Sequence, residues 1–274
     1  MIDTFPEVQG GGTARRCLVI LRAGNRSLHT AWFDPNHRDQ RLWDLHLSYF
    51  EASANPFPDR PSDVTLSFEP GPKYIGLADC LDRRPEPFRR PLNSYEWIWL
   101  PDDDLLIDQS AIDRFLHYVV TYNLDLAQPA LHERSHIAHT ITGRHSRSLM
   151  RFTDFVQTMC PCFSLRALNL CRPHFRDNLS GWGLNYLYPK LLGYPARSIA
   201  IVDAATAVHI FRAGGPNGSW SRKAGREPAL ERDEILAQHD LTVRKNNLAV
   251  LTPEGRITED LSGVRPLDFG ESWP

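Results

Sequence analysis

The sequence predicts an α/β fold, namely a single domain with a mostly parallel central sheet that is flanked by helices. Short apolar segments of strand character alternate with longer segments that have helical periodicity. Gly, Asn or Asp follow several of the apolar segments, as expected where the strands of an open sheet end in turns. The chain is also large enough, because 274 residues with 42% hydrophobic content can bury one sizeable core.

The N-terminal part is predicted to contain a leader, two strands and a loop. Residues 1–16 include three consecutive glycines and are expected to form a flexible leader. Residues 17–21 are a compact apolar segment before a Gly/Asn turn, and apolar and polar side chains largely alternate over residues 45–50. Both segments are predicted to be strands. Residues 52–70, rich in Pro and Asp, are predicted to be a loop with one short strand.

Two helices and two strands are predicted in the middle of the chain. Pro72 is suited to a helix start, and residues 72–81 place apolar side chains on one face. Residues 95–100 have the aromatic and β-branched bias of a buried strand. Residues 110–122 carry an apolar stripe that predicts an amphipathic helix, and residues 124–129 are predicted to be the next strand.

The second half of the chain is predicted to complete the sheet. Residues 155–163 are predicted to form a strand, and Ser180 is expected to cap a helix that continues to Leu192. Residues 199–202 and 206–210 are then predicted to close the sheet.

This pattern divides the chain into the leader, one domain and an extension. The domain covers residues 17–210. Residues 211–274 begin with a Gly-rich, basic stretch, are weakly patterned, and are expected to be a loop and a C-terminal extension that pack on the domain.

Composition excludes several classes of protein. A net charge of −2 gives no sign of a nucleic-acid-binding protein. No apolar run reaches membrane-spanning length, and residues 1–16 lack the apolar core of a signal peptide. Five cysteines at irregular spacing argue against a disulfide framework and favour a reducing compartment, so we expect a cytoplasmic protein.

The run Asp102-Asp103-Asp104, at the end of the strand predicted over residues 95–100, is the strongest indication of a site. Clustered carboxylates repel one another, so a cation should offset them, and oxygen ligands suit Mg²⁺ or Mn²⁺ better than zinc. On an extended backbone Asp102 and Asp104 share a face, which leaves open metal positions for a diphosphate. The alternative is an acidic surface turn that caps the next helix.

Several motifs in this order resemble the family catalogued as domain of unknown function 707, whose members look like glycosyltransferases of the GT-A type. The motifs are Trp-Leu-Pro-Asp-Asp-Asp-Leu at 99–105, Gln-Pro-Ala-Leu at 128–131, His-Thr-Ile-Thr at 139–142, Phe-Val to Pro-Cys-Phe-Ser over 155–164, Ser-Gly-Trp-Gly-Leu-Asn at 180–185, and Ile-Val-Asp to Val-His over 201–209. The resemblance spans residues 18–210 and implies a Rossmann-like GT-A domain.

The resemblance also implies a function. We expect a metal-dependent glycosyltransferase that uses a nucleotide-diphosphate sugar donor and Mn²⁺ or Mg²⁺, and transfers the sugar to a hydroxyl of a glycan or small acceptor, with inversion favoured. The alternative is a non-catalytic sugar- or nucleotide-binding protein on a GT-A scaffold. No nucleic acid and no membrane span are expected in either case.

The residues expected to bind the donor and the metal follow from the same comparison. Asp102 and Asp104 would hold the metal, with His209 as a further ligand, although a lone histidine there could equally be structural. The donor-binding candidates are Arg22, Gly24, Asp79, Asp102, Asp103, Arg144 and Arg212. Four histidines precede Arg147, but their spacing does not match a closed zinc site.

The acceptor is expected to contact Trp182 and Gly183. An indole face offers a sugar ring an apolar platform, and the neighbouring glycine lets backbone approach closely; the alternative is a core tryptophan. The family usually has an Asp where this chain has Asn185, and an amide cannot accept a proton as a general base.

Another group would then serve as the base, or Asn185 would keep an orienting role, or the chain would be a poor catalyst. The candidate bases are Asp177, His174 and Asp203.

Overall fold

The computed structural model describes residues 16–51, 57, 60–211 and 216–266, without the side chains of residues 216–219. The described residues form a mixed α/β fold in which helices flank a large central sheet. The strands are β1 (Cys17–Ala23), β2 (Trp43–Tyr49), β3 (Thr65–Phe68), β4 (Trp97–Trp99), β5 (Leu105–Leu106), β6 (Leu126–Leu131), β7 (Met150–Thr153), β8 (Cys162–Ser164), β9 (Ile199–His209), β10 (Asn247–Leu251) and β11 (Ile257–Thr258). The helices are α1 (Lys73–Asp82), α2 (Gln109–Thr121), α3 (Leu165–Cys171), α4 (Leu184–Leu191), α5 (Pro216–Lys223) and α6 (Pro228–Gln238).

The sheet has the order β11-β10-β7-β9-β6-β8-β4-β1-β2-β3, and β5 pairs separately with β9. Strands β3, β2, β1 and β4 are parallel neighbours, with Val19 beside Leu45 on one side and beside Trp99 on the other. Strand β8 lies antiparallel between β4 and β6. Beyond the parallel pair β6 and β9, the strands β7, β10 and β11 all pair antiparallel.

The prediction of a mostly parallel sheet is therefore wrong. Of the ten strand pairings that the described residues form, four are parallel and six are antiparallel. The period of the apolar residues indicates that a segment is a strand but carries no information about its direction. Direction depends on the connections, and the antiparallel pairing of β10 with β11 needs only a short turn, whereas a parallel pairing needs a crossover.

The core lies on both faces of the sheet. In β1, Val19 and Leu21 pack on one face with Phe115 of α2, while Leu18 and Ile20 pack on the other face with residues of α1, α3 and α4. Because both faces are covered, all seven residues of β1 are buried, and its first five, Cys17 to Leu21, form a continuous apolar run.

Several predicted elements are confirmed with small shifts in their ends. The strands over residues 17–21 and 45–50 are present, and the short strand expected within 52–70 is β3. Helix α2 begins at Gln109, where the Asp108 side chain accepts a hydrogen bond from the backbone N–H of Ala111. Of the predicted leader, residues 1–15 lie outside the described residues.

Two local predictions are wrong for reasons of backbone hydrogen bonding. Only the end of the segment 155–163 is a strand, since the carbonyls of Thr158 and Met159 accept hydrogen bonds from the Lys73 side chain. Ser180 does not cap a helix, because its Oγ accepts from the backbone N–H of Trp182 and α4 begins only at Leu184.

The predicted pair of strands at 199–202 and 206–210 is one strand, β9. Its pairing with β6 shifts register between Pro129 and Ala130, and this irregularity lies opposite the residues that were expected to separate two strands. Among the residues that the structure describes, no helix combines the length and apolar character that crossing a bilayer requires.

Candidate functional site

The carboxyl ends of β1, β2 and β4 meet at an open cleft, which we call the carboxylate cleft. Ligands of open α/β sheets bind at this kind of edge, just beyond the carboxyl ends of parallel strands. The residues lining the cleft are Arg22, Gly24, Asn25, Arg26, Phe50, Glu51, Asp102, Asp103, Asp104 and Phe211. The three predicted aspartates therefore lie at one cleft with Arg22 and Gly24.

Asp103 connects the loop after β4 to the loop after β1. Its Oδ2 accepts a hydrogen bond of 2.7 Å from the backbone N–H of Gly24, and its carbonyl accepts one of 2.8 Å from Leu28. Burial, together with the charges of Asp102 and Asp104, raises the pKa of Asp103 to about 7, although the hydrogen bond from Gly24 opposes the rise. A side chain at Gly24 would meet the Phe50 ring at 2.5 Å, so a larger residue there would have to displace this ring.

Asp104 and His209 form a close pair. The Nε2 of His209 lies 3.2 Å from Oδ2 of Asp104, and the His209 Nδ1 donates to the carbonyl of His136 at 2.9 Å. Backbone pairing of β5 with β9 brings the two residues together, since Leu105 lies opposite His209. Burial lowers the pKa of His209, but the hydrogen bond and charge of Asp104 outweigh burial, and the net pKa is raised.

One oxygen of this pair has no partner. Asp104 is only 9% exposed, and its Oδ1 is buried without a hydrogen-bond partner among the described residues. A buried carboxylate oxygen without a donor is costly unless a ligand or cation satisfies it.

Asp102 faces a different cation. Its Oδ1 lies 2.7 Å from Nζ of Lys73, the first residue of α1. Lys73 is only 5% exposed. The same ammonium donates to the carbonyls of Thr158 at 2.9 Å and Met159 at 2.7 Å. Burial raises the pKa of Asp102, while Lys73 opposes this rise. The role of Lys73 was not predicted, because nothing in a lysine at a helix start indicates a contact with a loop 85 residues away.

The donor atoms of Asp104 and His209 fit a divalent cation. Two ligand atoms about 2.1 Å from an octahedral ion are about 3 Å apart, which is close to the observed separation. A carboxylate with an imidazole suits Mn²⁺ better than Mg²⁺. Among the described residues, Asp102, Asp104 and His209 do not bring one ligand atom each to within 4.8 Å of one another. The Asp102 carboxylate is instead turned towards Lys73.

The two arginines that line the carboxylate cleft, Arg22 and Arg26, differ in solvent exposure and in their contacts. Arg22 is buried, donates to Oγ of Ser48 and to the Gly71 carbonyl, each at 2.8 Å, and burial lowers its pKa to about 10. Arg26 is exposed and its guanidinium stacks 5.0 Å from the Phe211 ring. Arg26 was not predicted, and it is the more accessible of the two cations.

A second cleft, which we call the basic cleft, contains the predicted acceptor residues. Its lining residues are Ala138, His139, Gln157, Thr158, Trp182, Gly183, Asn185, Tyr186, Arg232 and Lys245. Thr158 relates the two clefts, because its carbonyl accepts from the Lys73 ammonium that also contacts Asp102.

The segment before α4 shapes the basic cleft. Trp182 is 38% exposed, so it is not a core residue. Gly183 has a φ of 98°, and a side chain there would meet the Cβ of Ile235 at 2.8 Å, so glycine is required. Asn185 is buried, and its Oδ1 accepts from the backbone N–H of Gly183 at 3.2 Å.

Three other predicted residues line neither cleft. Asp177 is 2.7 Å from Nδ1 of His174, and Asp79 is 2.7 Å from Arg176, both near the surface. Arg144 is exposed, and its backbone N–H donates to the carbonyl of Leu131. A further predicted residue, Arg212, lies outside the described residues.

Asp203 also lies apart from the two clefts, and its carboxylate oxygens accept hydrogen bonds from other residues of the protein. Its two oxygens accept hydrogen bonds of 2.8 Å and 3.0 Å from the buried Arg151, one of 2.7 Å from Ser148, and one of 2.9 Å from the backbone of His145. This carboxylate connects β9 to β7 and to the loop before β7. Because its lone pairs are occupied, it is not available to accept a proton from a substrate.

Fold and site together define an α/β protein with an acidic cleft at the carboxyl edge of its parallel strands. Over residues 90–153 the chain matches the family described as "Protein of unknown function (DUF707)", and the predicted resemblance is confirmed for this part of the chain. The matched region contains β4, the three aspartates, α2, β6 and β7. No relative among the curated proteins matches the chain.

Proposed function

We propose that the protein is a metal-dependent glycosyltransferase that binds a nucleotide-diphosphate sugar in the carboxylate cleft and a hydroxyl acceptor in the basic cleft. One observation carries the proposal. The buried Asp104 has a carboxylate oxygen without a partner among the described residues, and beside it stands a histidine whose other nitrogen is fixed by a backbone carbonyl. Metal-binding histidines are oriented in this way by a second hydrogen bond.

The charge of the carboxylate cleft supports the need for a cation. Its lining includes four carboxylates, those of Glu51 and the three aspartates, against the two guanidinium groups of Arg22 and Arg26. A diphosphate would be repelled by this excess of negative charge. Asp104 and His209 would hold a divalent ion, and Asp102 would join them if its carboxylate turned away from Lys73. Such an ion would neutralise a diphosphate leaving group as a Lewis acid.

The remaining residues of the cleft position the donor. Gly24 permits close approach of backbone at the end of β1, and Asp103 fixes the loop that contains Gly24. Arg26 is accessible to phosphate oxygens and adds fixed positive charge there. Lys73 holds Asp102 beside the carbonyls of Thr158 and Met159, so donor and acceptor clefts share one buried ammonium.

A second candidate function is a sugar- or nucleotide-binding protein without turnover. None of the ten described residues lining the basic cleft is a carboxylate, and Asn185 cannot accept a proton. The imidazole among them, that of His139, has its pKa lowered to about 4 by burial and by the charge of Lys245. Inverting transfer needs a base on the acceptor side, and this composition favours binding without transfer.

The cellular setting is part of the proposal. All five cysteines are buried free thiols, which favours a reducing compartment, and we infer the cytoplasm.

The test is a thermal-shift screen of nucleotide-diphosphate sugars with and without Mn²⁺, followed by an assay for release of the nucleotide diphosphate. Binding to the folded state raises the melting temperature. We expect one nucleotide sugar to stabilise the wild type only when Mn²⁺ is present, and Asp104→Asn to lose this dependence. Stabilisation without turnover would favour the binding protein, and no stabilisation by any donor would reject both functions.

A further inference from the structure

The basic cleft has a charge opposite to that of the carboxylate cleft. Its lining includes the cations Arg232 and Lys245, and none of its ten described lining residues is Asp or Glu. A neutral acceptor would have no need of two cations at the place where it binds.

The charge of Lys245 is not offset by the groups bound to it. Its ammonium lies 3.0 Å from Nδ1 of His139, and because an ammonium can only donate, that nitrogen is the acceptor of a neutral imidazole. The ammonium also lies over the rings of Phe155 and Tyr186, 5.7 Å and 5.9 Å from their centroids. Aromatic faces attract the cation but do not neutralise it.

The Asp154 carboxylate is held by Asn246, the residue that follows Lys245. Asp154 accepts hydrogen bonds from the backbone N–H of Asn246 at 2.7 Å and from its side-chain amide at 2.8 Å. Arg232 is half-buried and its guanidinium lies 2.7 Å from the Asp233 carboxylate, which offsets part of its charge. Lys245 is therefore the stronger cation of the basic cleft.

The same cleft also offers groups that recognise a sugar. The ring of Trp182 is partly exposed, and such a face stacks on the apolar side of a pyranose. The Oε1 of Gln157 is buried without a hydrogen-bond partner among the described residues, and a sugar hydroxyl can donate to it.

We infer that the acceptor bound in the basic cleft is an acidic saccharide, whose carboxylate contacts Lys245 and Arg232 while its ring stacks on Trp182. This inference rests on the proposed function in one respect, the identification of the ligand as an acceptor. The binding preference itself is a property of the cleft and does not depend on transfer.

The test compares two disaccharides that differ by one carboxylate, cellobiouronic acid and cellobiose. Affinities are measured by calorimetry on the full chain at low ionic strength, with and without UDP and Mn²⁺. We expect the wild type to prefer the acid by about tenfold or more, since each charge-assisted bond adds to the affinity for the acid alone. Lys245→Met should remove most of the preference, and Trp182→Ala should weaken both sugars.

Arg244→Met is the matched control, because Arg244 is the adjacent residue but stacks on Tyr194 instead of lining the cleft. It should keep the preference of the wild type. Equal affinity for the two sugars, no binding of either, or a preference unchanged in Lys245→Met would each overturn the inference. In contrast, failure of the proposed transfer would appear as absent turnover in protein that still prefers the acid.

Discussion

The Nε2 of His209 lies 3.2 Å from Oδ2 of Asp104, and the other nitrogen of the same ring donates to the backbone carbonyl of His136. The carbonyl fixes the ring orientation without contributing a charge, so the position of Nε2 is set by β9 and the loop after β6. A histidine held in this way presents one lone pair in a fixed direction when it is neutral. The pair is therefore suited to a cation, with Oδ1 of Asp104 available beside it.

His209→Ala should weaken Mn²⁺ binding by about tenfold or more, a loss of about 1.4 kcal/mol, because one of the metal ligands is removed. Calorimetric titration with Mn²⁺ measures the change. His136→Ala is the matched control, since it removes a neighbouring imidazole but keeps the carbonyl that orients His209. If His209→Ala lowers only the melting temperature and leaves the affinity of the folded protein unchanged, His209 is structural.

Lys73→Met should destabilise the fold and enlarge the stabilising effect of Mn²⁺. Removing the ammonium leaves the Asp102 carboxylate without its cation, and breaking a buried ion pair in this way costs about 3–5 kcal/mol. The carbonyls of Thr158 and Met159 keep other donors, the Tyr74 hydroxyl and the Asp102 backbone N–H. A divalent ion can then take the place of the ammonium beside Asp102. Chemical denaturation with and without Mn²⁺ gives both quantities.

Lys190→Met is a suitable control, because Lys190 donates to backbone carbonyls of residues 239 and 240 at the exposed surface. It should change stability little and leave the Mn²⁺ effect as in the wild type. An unaltered Mn²⁺ effect in Lys73→Met would mean that Asp102 is no part of the metal site.

The sequence was informative about the parts of the site that belong to one short segment. The aspartates, the glycine after β1 and the Trp-Gly motif are local patterns, and each lies at one of the two clefts. Lys73 was not predictable, because its role arises from a contact between α1 and the loop at residues 158–159 that no local pattern encodes. Strand direction was not predictable from local patterns either. Strand β8, for example, lies antiparallel between β4 and β6.

Asp203 illustrates the opposite error of interpretation. An aspartate after an apolar segment has the same local appearance whether it faces a substrate or a buried arginine. Arg151, 52 positions earlier in the chain, decides between the two, since it donates to both oxygens. Such a partner is found only from the folded chain.

Asp203→Ala should therefore lower stability strongly without affecting the site. The side chain of Arg151 would be left buried without its carboxylate, for a loss of about 3–5 kcal/mol in the free energy of unfolding. Asp177→Ala, which removes a near-surface partner of His174, should cost less than about 1 kcal/mol. Urea denaturation compares the two, and nucleotide affinity of the folded Asp203→Ala protein should match the wild type. If the Asp203→Ala protein is fully folded and still binds the nucleotide more weakly than the wild type does, Asp203 is a site residue after all.

Stability should fall on acidification because of His46. Its two ring nitrogens lie 2.8 Å and 2.7 Å from hydroxyls of Thr65 and Ser67, and burial lowers its pKa from 6.5 to about 3. The folded state therefore excludes a proton that the unfolded chain accepts. This stability is fully present above pH 6.5 and is lost as the pH falls towards 3, at a rate on the order of 1 kcal/mol per pH unit.

In His46→Gln the free energy of unfolding should fall less steeply with decreasing pH, by about 1 kcal/mol per pH unit. The reason is that an amide can contact the same hydroxyls but does not titrate. Urea denaturation from about pH 7 to about pH 4 checks the slope, and the exposed His37→Gln serves as control. Parallel profiles for wild type and His46→Gln would show that His46 takes up its proton in the folded state.

Asn185→Asp should raise transfer or donor hydrolysis by about 10²–10⁴-fold, the range for a positioned general base. The structure gives two reasons to expect that the variant folds. The backbone N–H of Gly183 already donates to Oδ1 of Asn185, and an Asp oxygen can accept the same bond. The cations Arg232 and Lys245 line the same cleft and would favour the ionised carboxylate.

The assay is release of nucleotide diphosphate, with the donor identified by thermal shift and with Asp177→Ala as a comparison. Because Asp177 lines neither cleft, its loss should leave turnover unchanged in both backgrounds. Turnover that is abolished by Asp177→Ala and indifferent to Asn185→Asp would assign the base to Asp177. Tight donor binding with no turnover in either the wild type or the Asn185→Asp variant would instead mean that the two clefts bind their ligands without joining them.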